Sequence, residues 1–166
     1  DWYRPRARAL KSMVFSTLSA PVEGMGRLCD IPENRKRAEV EFLMNIPRDG
    51  TFDAGELRLA SRRGFLKGYI DLLVEHGGRW WVVDWKTNVP PGRETAEAYD
   101  QNCLDGIMVY HHYQLQYELY LLALCRTLSA GSGKPVDWNN QIGGAVYMFV
   151  RGTRAGDNRG VFTSKP

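Results

Sequence analysis

The apolar residues of this chain change their spacing from segment to segment, and the spacing predicts the elements. In AEVEFLMNI (38–46), Val40, Phe42 and Met44 alternate with Glu39, Glu41 and Leu43, the period of a half-buried strand. GFLKGYIDLLVE (64–75), RWWVVDWKT (79–87) and GGAVYMFVRG (143–152) read as three further strands. Residues 2–18 predict a helix after Pro5, with Leu10, Met13, Val14 and Phe15 apolar and Arg6, Arg8 and Lys11 polar. The run IMVYHHYQLQYELYLLALCRTL (107–128) is apolar on nearly every side, which predicts one long buried helix. Between these lie a polar excursion at 48–64 with at most a short strand, a loop or weak helix at 88–106, and a linker loop at 129–141. The tail from Thr153 is rich in Gly and Arg and reads as mobile. The order is helix, three strands, helix, strand, an α/β fold with a central mixed β-sheet flanked by helices. The expected organisation is one domain over 1–166: helical N-terminal support in 1–37, a core in 38–152 and a flexible tail in 153–166.

Composition narrows the classes without naming one. With 166 residues the chain can bury a substantial core, and 43% hydrophobic with 25% charged residues is ordinary globular usage. No apolar run approaches the roughly 18 residues of a membrane span, and no signal peptide opens the sequence. The net charge of +3 permits a polyanionic partner without demanding one. Cys29, Cys103 and Cys125 are far apart and odd in number, which fits reduced thiols in a cytoplasmic protein and cannot supply four thiolates to an iron–sulfur cluster.

The segment YIDLLVEHGGRWWVVDWKTN (69–88) raises the chemical question, because Asp71, Asp84 and Lys86 stand inside apolar strands. Gly77-Gly78 is a strong two-residue hairpin signal. With those glycines as the loop, Asp71 lies directly opposite Asp84 and Tyr69 opposite Lys86, with opposed β-carbons about 4.5–5.5 Å apart. Two facing carboxylates repel, and burial adds a desolvation cost. A divalent cation removes both penalties, and hard oxygen ligands suit Mg²⁺, Mn²⁺ or Ca²⁺. Lys86 can then reach an oxygen of whatever the metal holds, which suits attack of a metal-activated water on a phosphodiester. A bulge in the hairpin would change this opposition.

Glu41 in EVEF, Asp71 in GFLKGYIDL, Asp84-Trp85-Lys86 in DWKTN, and Gln116 and Tyr120 in LQYELY follow a known order. Together with EFLMNIP, YHHYQLQYELYLLAL and GGAVYMFVRG, they resemble the RecB-type nuclease domains of the PD-(D/E)XK nuclease superfamily, the C-terminal domain of the exodeoxyribonuclease V beta subunit. The resemblance covers most of the chain. It implies a restriction-endonuclease-like core and a Mg²⁺-dependent DNA nuclease cutting single strands fed by a helicase, in double-strand-break repair and recombination. On that pattern Asp71 and Asp84 ligate the metal with the Trp85 carbonyl, and Lys86 orients water or steadies the phosphorane. Glu41 supports metal or water, and Gln116 and Tyr120, on one helix face, contact the DNA backbone or brace the site. Arg62, Arg63, Lys67 and Tyr69 become candidate DNA contacts, and further basic residues (Arg58, Arg151, Arg154, Arg159) extend the possible path. Implied partners are DNA, RecC- and RecD-type subunits and a helicase motor on the same parent polypeptide, in the bacterial cytoplasm.

The chain departs from that pattern in two places. It carries no match to the family's metal-ligating histidine upstream of the first core strand, since His76 sits in the hairpin turn and His111 and His112 begin the predicted helix. It also stops where such domains run on, so an excised fragment is the expectation. The alternative function is a nuclease-like module that docks partners or DNA and is inactive as an isolated fragment. A small-molecule phosphate hydrolase fits poorly, because no Gly-rich phosphate cradle is present.

Overall fold

The alternating and continuous apolar runs assemble into one sheet with a hydrophobic cluster on each face. The computed structural model describes residues 3–46, 52–54, 57–59, 64–89 and 96–164. The strands are Lys36–Ile46 (β1), Phe52–Ala54 (β2), Leu57–Leu59 (β3), Gly64–His76 (β4), Arg79–Lys86 (β5), Ile142–Phe149 (β6) and Val161–Ser164 (β7). The central sheet has the order β1-β4-β5-β6-β7, antiparallel except where β5 and β6 run parallel. Parallel neighbours need a crossover. It is made by helices Gln101–Tyr110 (α2) and Tyr113–Ser132 (α3), with the short Trp138–Gln141 (α4) leading into β6.

The two sides of the sheet are filled differently. On one, Phe42, Met44, Ile70, Leu73 and Val82 pack with Leu104, Met108, Leu121 and Leu124 of α2 and α3. On the other, Val74, Trp81, Val83, Val146 and Met148 are covered by Ala20, Val22, Met25, Leu28 and Ile31, which follow helix Tyr3–Ser19 (α1). α1 itself buries little beyond Thr17 and Ser19, and Thr17 Oγ1 meets Thr153 Oγ1 at 2.8 Å.

Three expectations are corrected. The 107–128 segment is two helices: Asp100 caps α2 by accepting from the Cys103 amide at 2.9 Å, and the chain turns at His111-His112, where His112 takes φ 54. α3 is also less enclosed than expected, with Leu121, Ala123 and Leu124 its buried residues, because the sheet covers one side of it. The 48–64 excursion holds two short strands, β2 and β3, paired with each other.

The third correction concerns the tail. Val161–Ser164 pairs antiparallel with β6, and Thr153 is fully buried, so 153–164 completes the sheet instead of flexing. One of its glycines serves close approach: at Gly160 (φ +72) a β-carbon would lie 2.6 Å from the Thr153 amide nitrogen.

Candidate active site

The β4–β5 hairpin closes on Gly77 and Gly78, both at positive φ, and its ladder runs from His76–Arg79 to Leu72–Val83. There it stops. The Asp71–Asp84 and Tyr69–Lys86 oppositions expected from the turn do not form as ladder pairs; instead Asp71 Oδ2 accepts the Trp85 amide hydrogen at 3.0 Å. A carboxylate has taken the place of a backbone acceptor where the strands part.

The cause is a slip in alternation. Ile70 and Leu73 both face α2 and α3, whereas Leu72 and Val74 face the other side, so β4 changes phase at Asp71. On β1, Ala38 pairs with Leu72 and Val40 with Ile70, leaving Glu39 unpaired between them at φ 52. A non-glycine residue at positive φ breaks the pleat locally, as a bulge does.

Asp84 continues the regular phase of β5 and faces α3. It is 2% exposed, and its Oδ2 lies 2.6 Å from Lys86 Nζ. That contact is a close ion pair, and the Lys86 ammonium is the partner of this buried oxygen. Oδ1 receives a long 3.4 Å contact from Gln116 Nε2. Burial raises the Asp84 pKa above the usual carboxylate range; Lys86 opposes the rise and the negative charge of Asp71 adds to it. The charge coupling shows that the two acids share one neighbourhood.

Lys86 is less enclosed than its partner, its side chain 11% exposed against 3%. Nζ donates to Gln116 Oε1 at 2.9 Å and lies 4.1 Å from the ring centre of Tyr113 and 5.0 Å from that of Tyr147. Gln116 in turn donates to Tyr120 Oη at 2.7 Å and accepts from Tyr147 Oη at 3.1 Å. The phenol of Tyr147, fully buried on β6, is pushed far above its usual range by burial, with Asp84's charge adding.

The structure thus brings Asp71, Asp84, Lys86, Gln116 and Tyr120 together. It does not bring Glu41 to them. Glu41 projects to the exposed face of β1, away from Val40 and Phe42, where its carboxylate accepts from Tyr69 Oη at 2.8 Å and pairs with Lys67 at 3.1 Å. Those two bonds hold the Glu41 carboxyl below the usual range. The expected support of metal or water by Glu41 is corrected accordingly. Lys67 and Tyr69 share that face, with Lys67 Nζ 5.4 Å from the Tyr69 ring centre. Arg62 and Arg63, and the side chain of Arg58, lie outside the described residues. Arg151 donates to the Thr87 carbonyl at 2.9 Å and Arg154 to that of Thr153 at 2.8 Å.

Three contributors escaped the sequence reading: Tyr113, Tyr147 and Asn88. Tyr113 had a signal, since it stands three residues before Gln116 and seven before Tyr120 on one helix face. Tyr147 had a weaker one, a phenol within an otherwise apolar strand.

Among the described residues no group of three or more His, Cys, Asp and Glu side chains is arranged to hold a metal ion. What the site does offer is two neighbouring carboxylates, one of them buried with its Oδ2 held by Lys86, and hard divalent cations take oxygen donors of this kind. The donor set fits such an ion. No helix among the described residues is long and apolar enough to cross a membrane.

Sequence comparison finds relatives over most of the chain. The RecBCD enzyme subunit RecB of Escherichia coli (strain K12) is 33% identical over 174 aligned residues, covering 95% of this chain. The subunits of the same name from Haemophilus influenzae and Borreliella burgdorferi are 34% and 29% identical, covering 66% and 86% of it. The chain spans 14%, 9% and 12% of the lengths of these three relatives. The sequence pattern of the PD-(D/E)XK nuclease superfamily matches residues 9–165, a span that takes in every strand of the central sheet. The chain belongs to the PD-(D/E)XK nuclease superfamily.

Proposed function

We propose that this chain is a Mg²⁺-dependent DNA nuclease domain of RecB type, hydrolysing phosphodiester bonds in single strands delivered by a helicase. The observation that carries the reading is the buried Asp84 carboxylate, coupled to Asp71 and in contact with Lys86. Asp71 and Asp84, with the Trp85 carbonyl, would hold the cation. When bound, it supplies Lewis acidity to the scissile phosphate and lowers the pKa of the attacking water.

The chain's own residues do the rest. Hydrolysis forms one phosphorus–oxygen bond to water and breaks one to the leaving oxygen, which takes up a proton. Lys86 places a positive charge and hydrogen-bond donors beside that phosphate, where negative charge builds up. Gln116 holds Lys86, and Tyr120 holds Gln116. Lys67 and Tyr69, exposed on the strand that leads into Asp71, would contact the DNA with Arg62 and Arg63. The relatives' name supports an assembly with RecC- and RecD-type subunits, and the family resemblance implies a motor elsewhere in the parent polypeptide and a role in break repair in the bacterial cytoplasm.

The test is cleavage of end-labelled single-stranded DNA with Mg²⁺, beside a calorimetric titration of Mn²⁺. Asp84→Ala and Lys86→Ala are expected to lower cleavage by about a hundredfold or more with unchanged circular dichroism. Asp84→Ala should also remove the heat of Mn²⁺ binding. An unchanged cleavage rate in either variant rejects the assigned roles. Absence of Mn²⁺ heat in the unaltered chain rejects the metal centre and favours a docking module.

A further inference from the structure

We infer that Tyr113 and Tyr147 form an aromatic seat that positions Lys86 for the phosphate, and that Asn88 fixes the seat by holding the Tyr113 hydroxyl. The inference rests on the assignment of Lys86 above and adds residues outside the family motif as it was read from the sequence.

A lysine side chain has four rotatable bonds and a strongly hydrated head, so an ammonium useful in one geometry must be held there. Hydrogen bonds alone do this poorly at Lys86. Its partners are Gln116 Oε1 at 2.9 Å and Asp84 at 2.6 Å, and Asp84 is a residue a cation would also recruit. The electron-rich faces of two rings supply attraction that persists whichever oxygen the ammonium addresses. The Tyr113 centroid is 4.1 Å from Nζ and that of Tyr147 is 5.0 Å, both inside the range where a ring attracts a cation. The rings are 5.5 Å apart and inclined at 30°, so the seat has two walls from different elements, α3 and β6.

Each wall is anchored. Tyr147 is fully buried, and its hydroxyl donates to Gln116 Oε1 at 3.1 Å, the same oxygen that accepts the Lys86 hydrogen bond. Tyr113 donates to Asn88 Oδ1 at 3.0 Å, while Asn88 Nδ2 meets His111 Nε2 at 3.3 Å and the Asn88 carbonyl accepts from Tyr99 Oη at 2.8 Å. The His111 ring stacks on Tyr113 at 5.2 Å and 19°. This gives the turn between α2 and α3 a purpose. By breaking the helix at His111-His112, it sets His111 and Tyr113 side by side behind Lys86. It also explains why Asn88, two residues past the lysine, belongs to the same device.

The test compares Tyr113→Leu, which removes the ring, with Tyr113→Phe, which keeps it, in the full chain with Mg²⁺ and single-stranded DNA. Tyr113→Leu should lower kcat by about tenfold with KM little changed, and Tyr113→Phe should lose less than about threefold. An independent readout is the proton shift of the Lys86 ε-methylene, which the two rings displace upfield. That displacement should survive in Tyr113→Phe and shrink in Tyr113→Leu. Equal losses in both variants, full activity in Tyr113→Leu, or an unmoved ε-methylene shift would each overturn the seat. Lys86→Ala separates this failure from that of the parent reading: an active Lys86→Ala defeats the catalytic assignment, whereas an inactive Lys86→Ala beside a fully active Tyr113→Leu defeats the seat alone.

Discussion

The two ends of the β4–β5 ribbon are built from the same kinds of residues and do opposite things. At the glycine end, five successive residue pairs close the ladder, and Val74, Trp81, Val82 and Val83 are buried against apolar neighbours. At the other end the ladder opens after Leu72–Val83, and Asp71 reaches across to the Trp85 amide. The closed end turns its polar groups inward on the backbone and shows apolar side chains to the core. At the open end Asp71 spans the parted strands, while Asp84 and Lys86 face α3. The lesson is that the candidate site of this fold lies where regular pairing is interrupted, because an unpaired backbone amide must find an acceptor and an acid can supply it.

The sharpest way to break the contrast is at Asp71. Asp71→Asn and Asp71→Ala both remove the negative charge and should lower Mg²⁺-dependent cleavage by about a hundredfold or more. They should differ in stability: Asn keeps an acceptor for the Trp85 amide, whereas Ala leaves it unsatisfied, costing about 1–3 kcal/mol. Urea denaturation of the two variants reads the difference. Equal stability would mean that the Asp71–Trp85 bond does not hold the open end.

A smaller effect probes the closed end. Gly143 on β6 lies against the indole of Trp81, so a β-carbon there would come within 2.1 Å of Cε2 of that buried ring. Gly143→Ala should destabilise the fold by about 1–3 kcal/mol through overpacking. Cleavage per folded molecule should stay unchanged, since the open end is untouched. Activity lost in proportion beyond unfolding would show that the two ends are coupled.

The smallest effect is electrostatic. Because burial raises the Asp84 pKa, the metal-free folded chain keeps a proton that the unfolded chain releases, over the window from the ordinary carboxylate range up to the raised value. Within it, acidification binds more protons to the folded state, so stability rises as pH falls and declines as pH rises. Glu41 and Asp30, lowered by Tyr69 and Arg27 respectively, contribute the opposite slope. Thermal melts of the metal-free chain against pH, compared with Asp84→Asn, isolate the Asp84 part. An identical pH profile in the two proteins would contradict the raised pKa.

Much of this was legible in the chain itself. Alternation placed β1 and its inward residues, Gly77-Gly78 located the turn, and the strands holding Asp71, Asp84 and Lys86 came out within a residue or two of the observed bounds. The i, i+4 spacing of Gln116 and Tyr120 put them on one face, where Gln116 does reach Lys86. Local patterning carries such information because strand, turn and helix periods are set by neighbours in sequence.

What patterning could not supply were the outcomes that depend on contacts far apart in the chain. Nothing in IMVYHHYQL marks a break, since no Gly or Pro is present; the turn at His111-His112 is settled by Asn88 and by the crossover from β5 to β6. The Gly-rich composition of the tail suggests mobility, whereas Gly160 is needed for approach to Thr153. The alternation of Glu41 with Val40 and Phe42 sets it on the outer face with Lys67 and Tyr69; what the pattern does not record is the phase slip at Asp71, whose carboxylate meets the Trp85 amide. Residue types and their order therefore decided which candidate groups this chain carries. Tertiary structure alone decided which of those groups meet, because one unpaired position in a strand exchanges its two faces and no local period records it.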